Sequence, residues 1–563
     1  MRTLQRRIGT LAAWAACFTV SAAAQTTTRV SVDSGGVQGR YASRAPSISA
    51  DGRYVAFQSD ARNLVPGDTN GTTDVFVHDA VTGSTVRVSV DNAGGELPAF
   101  SVDPSISGDG RSIAFVSFPP LGQGDVYVRD LGTGQTSLVS ATPGHVPGDA
   151  ASYAAAISAG GRCVAFFSNA SDLVPGDVGF TDCFVRDLRT GTTSLVSRNS
   201  AGVQGNEDVG NVGRPAISSD GRFVAFSSRA SNLAAGDTNH GLDVFRRDTL
   251  TNTTELVSVG QPNGSAVAEV SISGDGRIVV FSTDAALVAG DTNGTFDVYA
   301  RDMVAGTTTR VSVNSAGAQV AGYCVDCSIS SDGRCVAFRS NSNELVVGDS
   351  NGAVDIFVRD LVAHTTTRAS ISSQGFEGDA DSEAPAISAD GSLVAFHSLA
   401  TDLVAGDTNG VLDVFEIDRT CVGAIFTYCT AKTNSLACVP AIGSIGVPSV
   451  SGPDGFFVTA RNVRNRKFGM MLWSLKAANT PFGGGTLCVH TQIHRTPGQG
   501  SGGSASGDDC SGAYAFHFTQ AYMAQQQLGA NTTVFVQYWS RDPGFAPPNN
   551  VGLTDALRFT ICE

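Results

Sequence analysis

One phrase recurs seven times along this chain and limits what the chain can fold into. Its first copy, residues 47–57, reads Ser-Ile-Ser-Ala-Asp-Gly-Arg-Tyr-Val-Ala-Phe. The glycines of the seven copies are Gly52, Gly110, Gly161, Gly221, Gly276, Gly333 and Gly391, with spacings of 58, 51, 60, 55, 57 and 58 residues. Self-similarity at such a period is typical of a repeat architecture in which each unit is one supersecondary structure.

Each repeat contains four short runs that are rich in β-branched and aromatic residues. A second phrase of the type Asp-Val-Phe-Val-His-Asp (residues 74–79) follows every copy of the first, and a third, of the type Arg-Val-Ser-Val (residues 87–90), ends the repeat. Asp-Gly between the first two runs is a hairpin signal, because glycine accepts a positive φ. Four antiparallel strands with no helical period predict one blade of a β-propeller.

The positions of the third phrase predict how the ring closes. The seventh repeat ends near Thr420 without this strand, whereas a spare copy, Thr-Arg-Val-Ser-Val, stands at residues 28–32 before the first repeat. If the early strand completes the last blade, no sheet edge is left open to pair with another chain. We therefore expect an all-β fold in which residues 25–420 form a seven-bladed β-propeller closed by its N-terminal strand.

These repeats resemble those of a known family. The phrase Pro-x-Ile-Ser-x-Asp-Gly-Arg-x-Val-Ala-Phe, followed by Asp-Val-Phe-Val-x-Asp, resembles the TolB-like (WD40-like) β-propeller repeat of secreted bacterial proteins. The resemblance extends over the seven repeats and implies the propeller fold. It implies no single function, because propellers carry many unrelated activities.

The first 24 residues have the pattern of a secretory signal peptide. Arg2, Arg6 and Arg7 precede an apolar run over residues 11–20, and small residues at Ala22 and Ala24 suit cleavage before Gln25. Twin-arginine and lipoprotein signals fit less well. No later stretch is long and apolar enough to span a bilayer. The sequence therefore predicts a secreted protein located in the periplasm, at the cell surface or outside the cell.

The charge of the chain narrows the choice of partner. The formal net charge is −15, from 37 basic and 52 acidic residues, and it becomes −18 once the signal segment is removed. A nucleic-acid-binding protein would show a basic stripe, so nucleic acid is excluded as a partner. With strands A to D counted from the hub outward, the B–C and D–A loops are long and share one face. Because function usually lies on the longer loops of a rigid scaffold, we expect a protein or glycan ligand there, bound by a monomer.

An Asp-x-Asn-x-x-x-Asp pattern recurs in five B–C loops and is the strongest chemical signal. The candidate ligands are Asp68, Asn70, Asp74, Asp237, Asn239, Asp243, Asp291, Asn293, Asp297, Asp349, Asn351, Asp355, Asp407, Asn409 and Asp413. Oxygen ligands at alternate positions of a glycine-containing loop can wrap Ca²⁺, and the loop looks like a shortened relative of calcium loops in other propellers. The alternative is structural, because Asp and Asn also make local turns with the backbone. Calcium is the only cofactor that the sequence suggests.

Residues that could catalyse a reaction are few. There is no Gly-x-Ser-x-Gly elbow, His-Glu-x-x-His or phosphate-binding loop. Asp103, Glu269 and Asp326 precede the A strands at matching positions, where carboxylates near the hub could act as acid and base. A mixed-charge ring that lines a solvated channel is the alternative, since Arg214 takes the same position in the fourth repeat.

The repeats stop at Cys421, and residues 421–563 form a second domain. Its cysteines are Cys421, Cys429, Cys438, Cys488, Cys510 and Cys562, an even set that predicts up to three disulfides of undetermined pairing. Strand-like runs, with one short helix within residues 518–528, predict a disulfide-braced β-sandwich. Cys324 and Cys327 belong to the repeats, and the sequence leaves two alternatives for them, a local disulfide or two free thiols.

The sequence is compatible with two candidate functions. The first is a secreted, non-enzymatic binding or scaffold protein that presents a loop-rich acidic face and is stabilised by calcium. The second is a carbohydrate-active enzyme, a hydrolase or lyase, with its carboxylates at the hub. The absence of a convergent catalytic set in the sequence favours the first.

Overall fold

A computed structural model defines two compact units, Gln25–Thr420 and one that contains Cys421–Glu563. It describes residues 26–118, 122–210, 213–239, 241–260, 262, 267–346, 348–373, 375–419, 426–446, 448–449, 454–490, 492–529 and 532–561. The predicted signal segment, the region around residue 120, Cys421 and Cys562 lie outside the described residues.

The first unit consists of seven four-stranded antiparallel sheets. Their strands are β1 (Thr26–Arg29), β2 (Ser43–Ile48), β3 (Tyr54–Ser59), β4 (Asp74–Asp79), β5 (Ser84–Arg87), β6 (Phe100–Ile106), β7 (Ser112–Phe118), β8 (Asp125–Asp130), β9 (Gln135–Leu138), β10 (Ser152–Ile157), β11 (Cys163–Ser168), β12 (Asp182–Asp187), β13 (Thr192–Leu195), β14 (Ala216–Ile217), β15 (Phe223–Ser228), β16 (Asp243–Asp248), β17 (Thr253–Leu256), β18 (Val267–Ile272), β19 (Ile278–Thr283), β20 (Asp297–Asp302), β21 (Thr307–Arg310), β22 (Cys324–Ile329), β23 (Cys335–Ser340), β24 (Asp355–Asp360), β25 (Thr365–Arg368), β26 (Ser382–Ile387), β27 (Leu393–Ser398) and β28 (Asp413–Asp418).

Six blades use four consecutive strands each, as A, B, C and D. Blades 1 to 6 are β2–β5, β6–β9, β10–β13, β14–β17, β18–β21 and β22–β25, and blade 7 has the order β26, β27, β28, β1. In blade 7 the N-terminal strand β1 pairs with β28, with Thr28 opposite Glu416. The predicted seven-bladed propeller, closed by its own N-terminal strand, is therefore confirmed.

A second closure runs around the hub, where backbone groups of each A–B turn bond to the next. The links are Ala50 N to Gly108 O, Gly108 N to Ala159 O, Gly160 N to Ser219 O, Ser219 N to Gly274 O, Gly274 N to Ser331 O, Asp332 N to Ala389 O and Ala389 N to Ala50 O, at 2.8–3.3 Å. The last link joins blade 7 to blade 1, so the ring is complete at the hub as well as at the rim.

The Asp-Gly turn forms for a local reason. In blade 1 the Asp51 carboxylate accepts hydrogen bonds from Ser49 Oγ (2.8 Å) and from the Arg53 N–H (3.1 Å). Gly52 adopts a φ of 75°, a conformation that a side chain would strain. Arg53 then forms a two-pronged ion pair with Asp79 at 2.7 and 2.9 Å, which ties the A–B turn to the end of strand C.

The core lies within and between the blades. Strands B and C are buried along nearly their whole length, and each blade stacks an aromatic ring of B near one of C, for example Phe57 on Phe76 at 6.0 Å. Full burial of such a side chain stabilises the fold by about 1.5–3 kcal/mol. Val30 and Val414 of blade 7 share one buried cluster with Val55 of blade 1, so the closing seam is packed like the others.

The two faces of the ring differ in their connections. The A–B and C–D turns are short, for example residues 49–53 and 80–83, and lie on what we call the turn face. The B–C and D–A connections are longer, for example residues 60–73 and 88–99, and lie on the opposite, loop face.

The second unit packs two main sheets around one core. Its elements are β29 (Phe426–Tyr428), β30 (Ala441–Ile445), β31 (Phe457–Val463), β32 (Phe468–Ser474), β33 (Ala477–Phe482), β34 (Gly485–Val489), β35 (His494–Arg495), β36 (Gln499–Gly500), β37 (Gly512–His517), α1 (Gln520–Gln525), β38 (Thr533–Arg541) and β39 (Val551–Thr560). The sheet β29-β39-β38-β32-β35, with β36 on β32, faces the sheet β30-β31-β37. Trp473 and Tyr538 of the first sheet and Val458 of the second lie in one buried cluster, as expected for a sandwich-like domain.

Disulfides brace this second unit. Cys429 bonds to Cys488 and Cys438 bonds to Cys510, which resolves two of the pairings that the sequence left open. Cys324 and Cys327 of the propeller are buried free thiols. Among the described residues, no helix has the length and apolar character needed to cross a membrane.

Candidate functional site

The predicted calcium loops lie on the loop face, and in blade 1 an arginine lies among the candidate ligands. Arg87 Nη1, from strand D, lies 3.7 Å from both Asp68 Oδ1 and Asp74 Oδ2 and 2.8 Å from Glu96 Oε2. Asn70 turns its amide NH₂ toward Asp74, donating to Oδ2 at 3.1 Å. Asp74 therefore accepts hydrogen bonds from Asn70 and Ser89, and the Arg87 guanidinium lies close to both aspartates.

Three further blades repeat this arrangement. Arg310 lies 3.5 and 3.8 Å from Asp291 and Asp297, Arg368 lies 3.2 and 3.3 Å from Asp349 and Asp355, and Arg29 lies 3.5 and 3.8 Å from Asp407 and Asp413. Asn293, Asn351 and Asn409 each donate to the second aspartate at 2.8–3.1 Å.

Burial sets the electrostatics of these clusters. Asp74 is fully buried, and burial raises the pKa of its carboxyl to about 6 against the lowering effects of the Ser89 hydrogen bond and of Arg87. Burial likewise raises the pKa of Asp297, Asp355 and Asp413. A cation beside each pair of carboxylates is needed to keep both charged, and the guanidinium supplies it.

These four loops do not fit a resident Ca²⁺ ion. Calcium needs at least about six oxygen ligands, whereas here an amide nitrogen and a guanidinium face the carboxylate oxygens. No group of three or more His, Cys, Asp or Glu side chains within the described ranges has a metal-binding arrangement. The clusters act instead as arginine-centred ties that connect both ends of a B–C loop to strand D.

The fifth loop differs at one position. In blade 4, Leu256 pairs with Phe245 at the place where Arg87 pairs with Phe76 in blade 1. Asp243 accepts from Ser258 Oγ at 2.6 Å, and burial raises its pKa. Calcium binding by Asp237, Asn239 and Asp243 stays a prediction of the sequence.

A second set of contacts joins the B–C loop to the D–A loop of the same blade in five of the seven blades. Glu96 accepts from the Thr69 N–H at 3.0 Å, Glu377 accepts from the Ser350 N–H at 3.0 Å, and Gln319 accepts from the Thr292 N–H at 3.2 Å. Gln38 donates to Thr408 Oγ1 at 2.9 Å, and Gln204 accepts from the Val178 N–H at 3.2 Å. Five blades therefore hold their two long loops together, and we call these contacts the loop latches.

The hub contains a chamber of about 520 Å³ that the inner strands line. One residue of each blade lines it at a matching position, and these residues are Ala45, Asp103, Ala154, Arg214, Glu269, Asp326 and Ala384. In every blade except blade 4, a β-bulge in the A strand lies at this position. Bulges commonly re-aim a side chain next to a functional site. Because three blades have alanine at this position, the propeller fold does not require a charged side chain there.

The predicted hub carboxylates Glu269 and Asp326 meet in this chamber, and Asp103 lies elsewhere on its wall. Glu269 Oε2 accepts from the Asp326 N–H at 3.2 Å, and Arg339 forms ion pairs with both Asp326 and Glu383. Burial, followed by the nearby Asp326 charge, raises the pKa of Glu269 to about 8. This raised pKa favours the protonated form of Glu269, in which the carboxyl can donate a hydrogen bond.

Toward the turn face the hub narrows. Ile48, Ile106, Ile157, Ile217, Ile272, Ile329 and Ile387, one from each blade, line a smaller cavity of about 160 Å³. The polar chamber thus lies on the loop-face side of a ring of isoleucines. The charged residues of the chamber come from blades 4, 5 and 6, and Asp103 of blade 2 lies across from them.

Sequence reasoning missed the arginine ties and the loop latches. The signal was present in part, because four of the five blades whose loops carry the full Asp/Asn pattern have an arginine in the third phrase, and the fifth has Leu256. The arginines are Arg29, Arg87, Arg310 and Arg368. Blades 2 and 3, whose loops are degenerate, carry Leu138 and Leu195 instead.

The fold and these sites define a seven-bladed β-propeller and a disulfide-braced β domain. No family model and no curated protein matches the chain. Similar solved structures include an oligogalacturonate lyase from Vibrio parahaemolyticus, with 12% identity, 71% of this chain and 92% of that chain covered, and a TM-score of 0.41. A putative TolB from Agrobacterium tumefaciens has 14% identity over 60% and 94%, with a TM-score of 0.33. The propeller domain of the Trilobed protease from Pyrococcus furiosus has 11% identity over 67% and 95%, with a TM-score of 0.42. At this identity and TM-score the likeness carries no argument about what the chain binds.

Proposed function

We propose that this chain is a secreted, non-enzymatic binding or scaffold protein that holds a protein or glycan partner on its loop face. The observation that carries the proposal is the set of loop latches, by which five blades join their B–C and D–A loops. Loops that are already ordered lose little conformational entropy on binding, so a latched face is preorganised for a partner.

Exposed apolar side chains beside the latches offer contact points. Val37, Val203 and Phe376 are 57%, 55% and 69% exposed. Each immediately precedes a latch residue, which fixes the loop on which it stands. Rigidly held apolar tips among acidic groups suit a partner surface that combines apolar and basic or hydroxyl groups.

The compartment and oligomeric state belong to the same proposal. The two disulfides of the second unit are of the kind that persists in oxidising compartments, which supports an extracellular or periplasmic location. We propose that the propeller acts as a monomer, because closure of blade 7 by β1 removes the free edge through which sheets associate.

The hub chamber favours a second candidate, a carbohydrate-active enzyme. The raised pKa of Glu269, in contact with Asp326 in a chamber of about 520 Å³, is the kind of perturbation found at catalytic sites. The geometric contact of Glu269 is with the backbone N–H of Asp326, so a hydrolase and a lyase both stay open within this candidate.

A glycan and peptide array tests the first proposal. We expect the full chain to bind a ligand of the array and the loop-face variant Val203→Asp/Phe376→Asp to lose this binding. The matched turn-face variant Val81→Asp/Val304→Asp, whose residues are 74% and 77% exposed, is expected to keep it. Equal loss in both variants, or no ligand on either array, would contradict the loop-face proposal. Turnover of a polysaccharide panel that disappears in Glu269→Gln would support the enzyme instead.

A further inference from the structure

A groove between blades 3 and 4 contains an arginine that the fold does not require. Arg198 follows strand β13, and its N–H bonds to Val196 O at 2.7 Å. The same backbone bond marks the equivalent residue of the other six blades, which is Val32, Val90, Ala141, Val259, Val313 or Ile371. Every other blade therefore has an aliphatic side chain at this place.

The Arg198 guanidinium has no partner of its own. Its Nε is buried and forms no hydrogen bond, and no ion pair of Arg198 exists within the part of the chain that the structure describes. Arg247 of blade 4 is a like-charged neighbour, buried to 3% exposure, and the Arg198 charge lowers its pKa in addition to burial. A buried positive charge next to another is unfavourable unless an anion offsets it.

Other charged groups in the groove are already engaged. Arg162 pairs with Asp187 at 2.5 Å, and Arg222 pairs with Asp248 at 2.6 Å. Asp220, the remaining acid of the lining, accepts from the Arg222 N–H at 2.9 Å. Arg247 is satisfied by carbonyl oxygens, by Thr254 and by Asn252. Of the four arginines that line the groove, Arg198 is the only one without a partner in the described part of the chain. Its guanidinium is therefore available to a ligand.

The shape and polarity of the groove indicate the ligand. Its volume is about 780 Å³, within the range of small-molecule sites. Thr192 and Ser194 line it at alternate positions of β13, so their hydroxyls share one side of the strand, and Thr190 lines it from the turn before β13. No aromatic side chain lines it. A guanidinium beside a row of hydroxyls suits an oxyanion carried by a polyhydroxylated chain.

We propose that this groove, with Arg198 at its centre, binds the sulfate or carboxylate group of an acidic glycan. Arg198 binds the oxyanion by charge-assisted hydrogen bonds, and the β13 hydroxyls bind the sugar. The groove is lined by turn-face residues such as Thr249 and Leu250 and by Arg198 at the start of the D–A loop of blade 3, whose backbone bridges to the latch residue Gln204. The site adjoins that latch, and its acidic small-molecule ligand goes beyond the proposed function.

Calorimetric titration of the full chain tests the proposal with three probes: a sulfated glucan hexasaccharide, the unmodified hexasaccharide and inorganic sulfate. We expect the sulfated glucan to bind and the neutral glucan not to bind. In Arg198→Val, which carries the residue of most other blades, the Kd rises by at least about tenfold. Thermal stability of this variant is equal to or above that of the wild type, because a buried like-charge contact is removed.

Arg246→Val is the matched control. Arg246 is also an arginine at a position where four blades have valine, but it pairs with Glu255 at 2.5 Å outside the groove lining. Its variant is expected to bind the sulfated glucan as the wild type does. Should Arg198→Val fail to fold, Arg198→Gln, which keeps a polar side chain and removes the charge, replaces it.

Three results would overturn the assignment. These are unchanged affinity in the Arg198 variants, equal losses in the Arg198 and Arg246 variants, and binding of the neutral glucan as tightly as the sulfated one. Binding of inorganic sulfate without the sulfated glucan would likewise overturn it, because the hydroxyl row would then have no role.

Discussion

Arg368 Nη1 lies 3.3 Å from Asp355 Oδ2, and this contact connects the outermost strand of blade 6 to the start of its strand C. The same guanidinium lies 3.2 Å from Asp349 and 2.7 Å from Glu377, so one cation joins strand D, both ends of the B–C loop and the D–A loop. Because all members are largely buried, removing the cation leaves carboxylates without a counter-charge.

Arg368→Leu tests this tie with the residue that blade 4 carries naturally at Leu256. We expect the free energy of unfolding to fall by about 2–4 kcal/mol, as for a buried pair that loses one partner. Urea denaturation measures it. In the control Arg334→Leu, which breaks the half-exposed pair with Asp360 in the same blade, the loss is below about 1 kcal/mol. Equal losses would contradict a special role for the buried arginine.

The same variant separates arginine ties from calcium sites. For the wild type, we expect no shift of the melting temperature between excess Ca²⁺ and chelator from four loops, because a guanidinium occupies the place of a cation there. Any shift is then assigned to the fifth loop, that of blade 4. In Arg368→Leu the freed carboxylates can accept Ca²⁺, and the ion then raises the melting temperature by binding only the folded state. A wild-type melt that shifts with calcium would support the Asp237–Asp243 loop as a cation site.

The architecture could be predicted from the sequence because it follows from repeated local signals. Asp-Gly turns, alternating apolar residues and the displaced copy of the third phrase at residues 28–32 together specify seven blades and their closure. Each of these signals involves only a few neighbouring residues or one pair of strands, so it can be recognised in the sequence alone.

The candidate site could be predicted only in part. Asp68, Asn70 and Asp74 were found on one loop, but their partner Arg87 comes from a strand that follows the loop, and periodicity does not show which side chains converge. Similarly, Glu269 and Asp326 come from adjacent blades, and their meeting at the hub depends on bulges that the sequence pattern does not reveal.

Deletion of residues 26–32 tests ring closure. Without β1, strand β28 becomes an open edge, and Asp413 loses the hydrogen bond from Ser31 and its contact with Arg29. We expect the amides of β28 to exchange with solvent faster and the variant to associate through the exposed edge. Size-exclusion chromatography and hydrogen exchange measure both. A monomer with wild-type protection in β28 would contradict closure by the N-terminal strand.

Glu269→Gln tests the protonated state of the hub carboxyl. The pKa of Glu269 in the folded chain is about 8, above its ordinary value of 4.5, so folding is favoured when this group is protonated. Its contribution is therefore lost as the pH rises from 4.5 toward 8. We expect the variant to match the wild type near about pH 5 and to exceed it by at least about 1 kcal/mol near pH 9. A wild-type advantage at high pH would show that Glu269 is ionised in the fold.

Glu416→Val tests a buried acid at the closing seam. Glu416 occupies the place of Val77 in blade 1, since Val77 pairs with Ala56 as Glu416 pairs with Ala395. Its Oε2 is buried without a hydrogen-bond partner in the described structure, and burial raises the pKa of the carboxyl to about 7. Because the folded-state pKa lies above the ordinary 4.5, the cost of this residue grows as the pH rises from 4.5 to 7.

The valine variant should therefore be more stable than the wild type by about 1–3 kcal/mol near pH 8, and by less near pH 5. Chemical denaturation at both pH values measures the difference. Glu207→Val, which changes an exposed glutamate, serves as the control and is expected to stay within about 0.5 kcal/mol at either pH. If Glu416→Val destabilises the propeller at pH 8, the carboxylate has a partner in solution, and the seam between β1 and β28 depends on it.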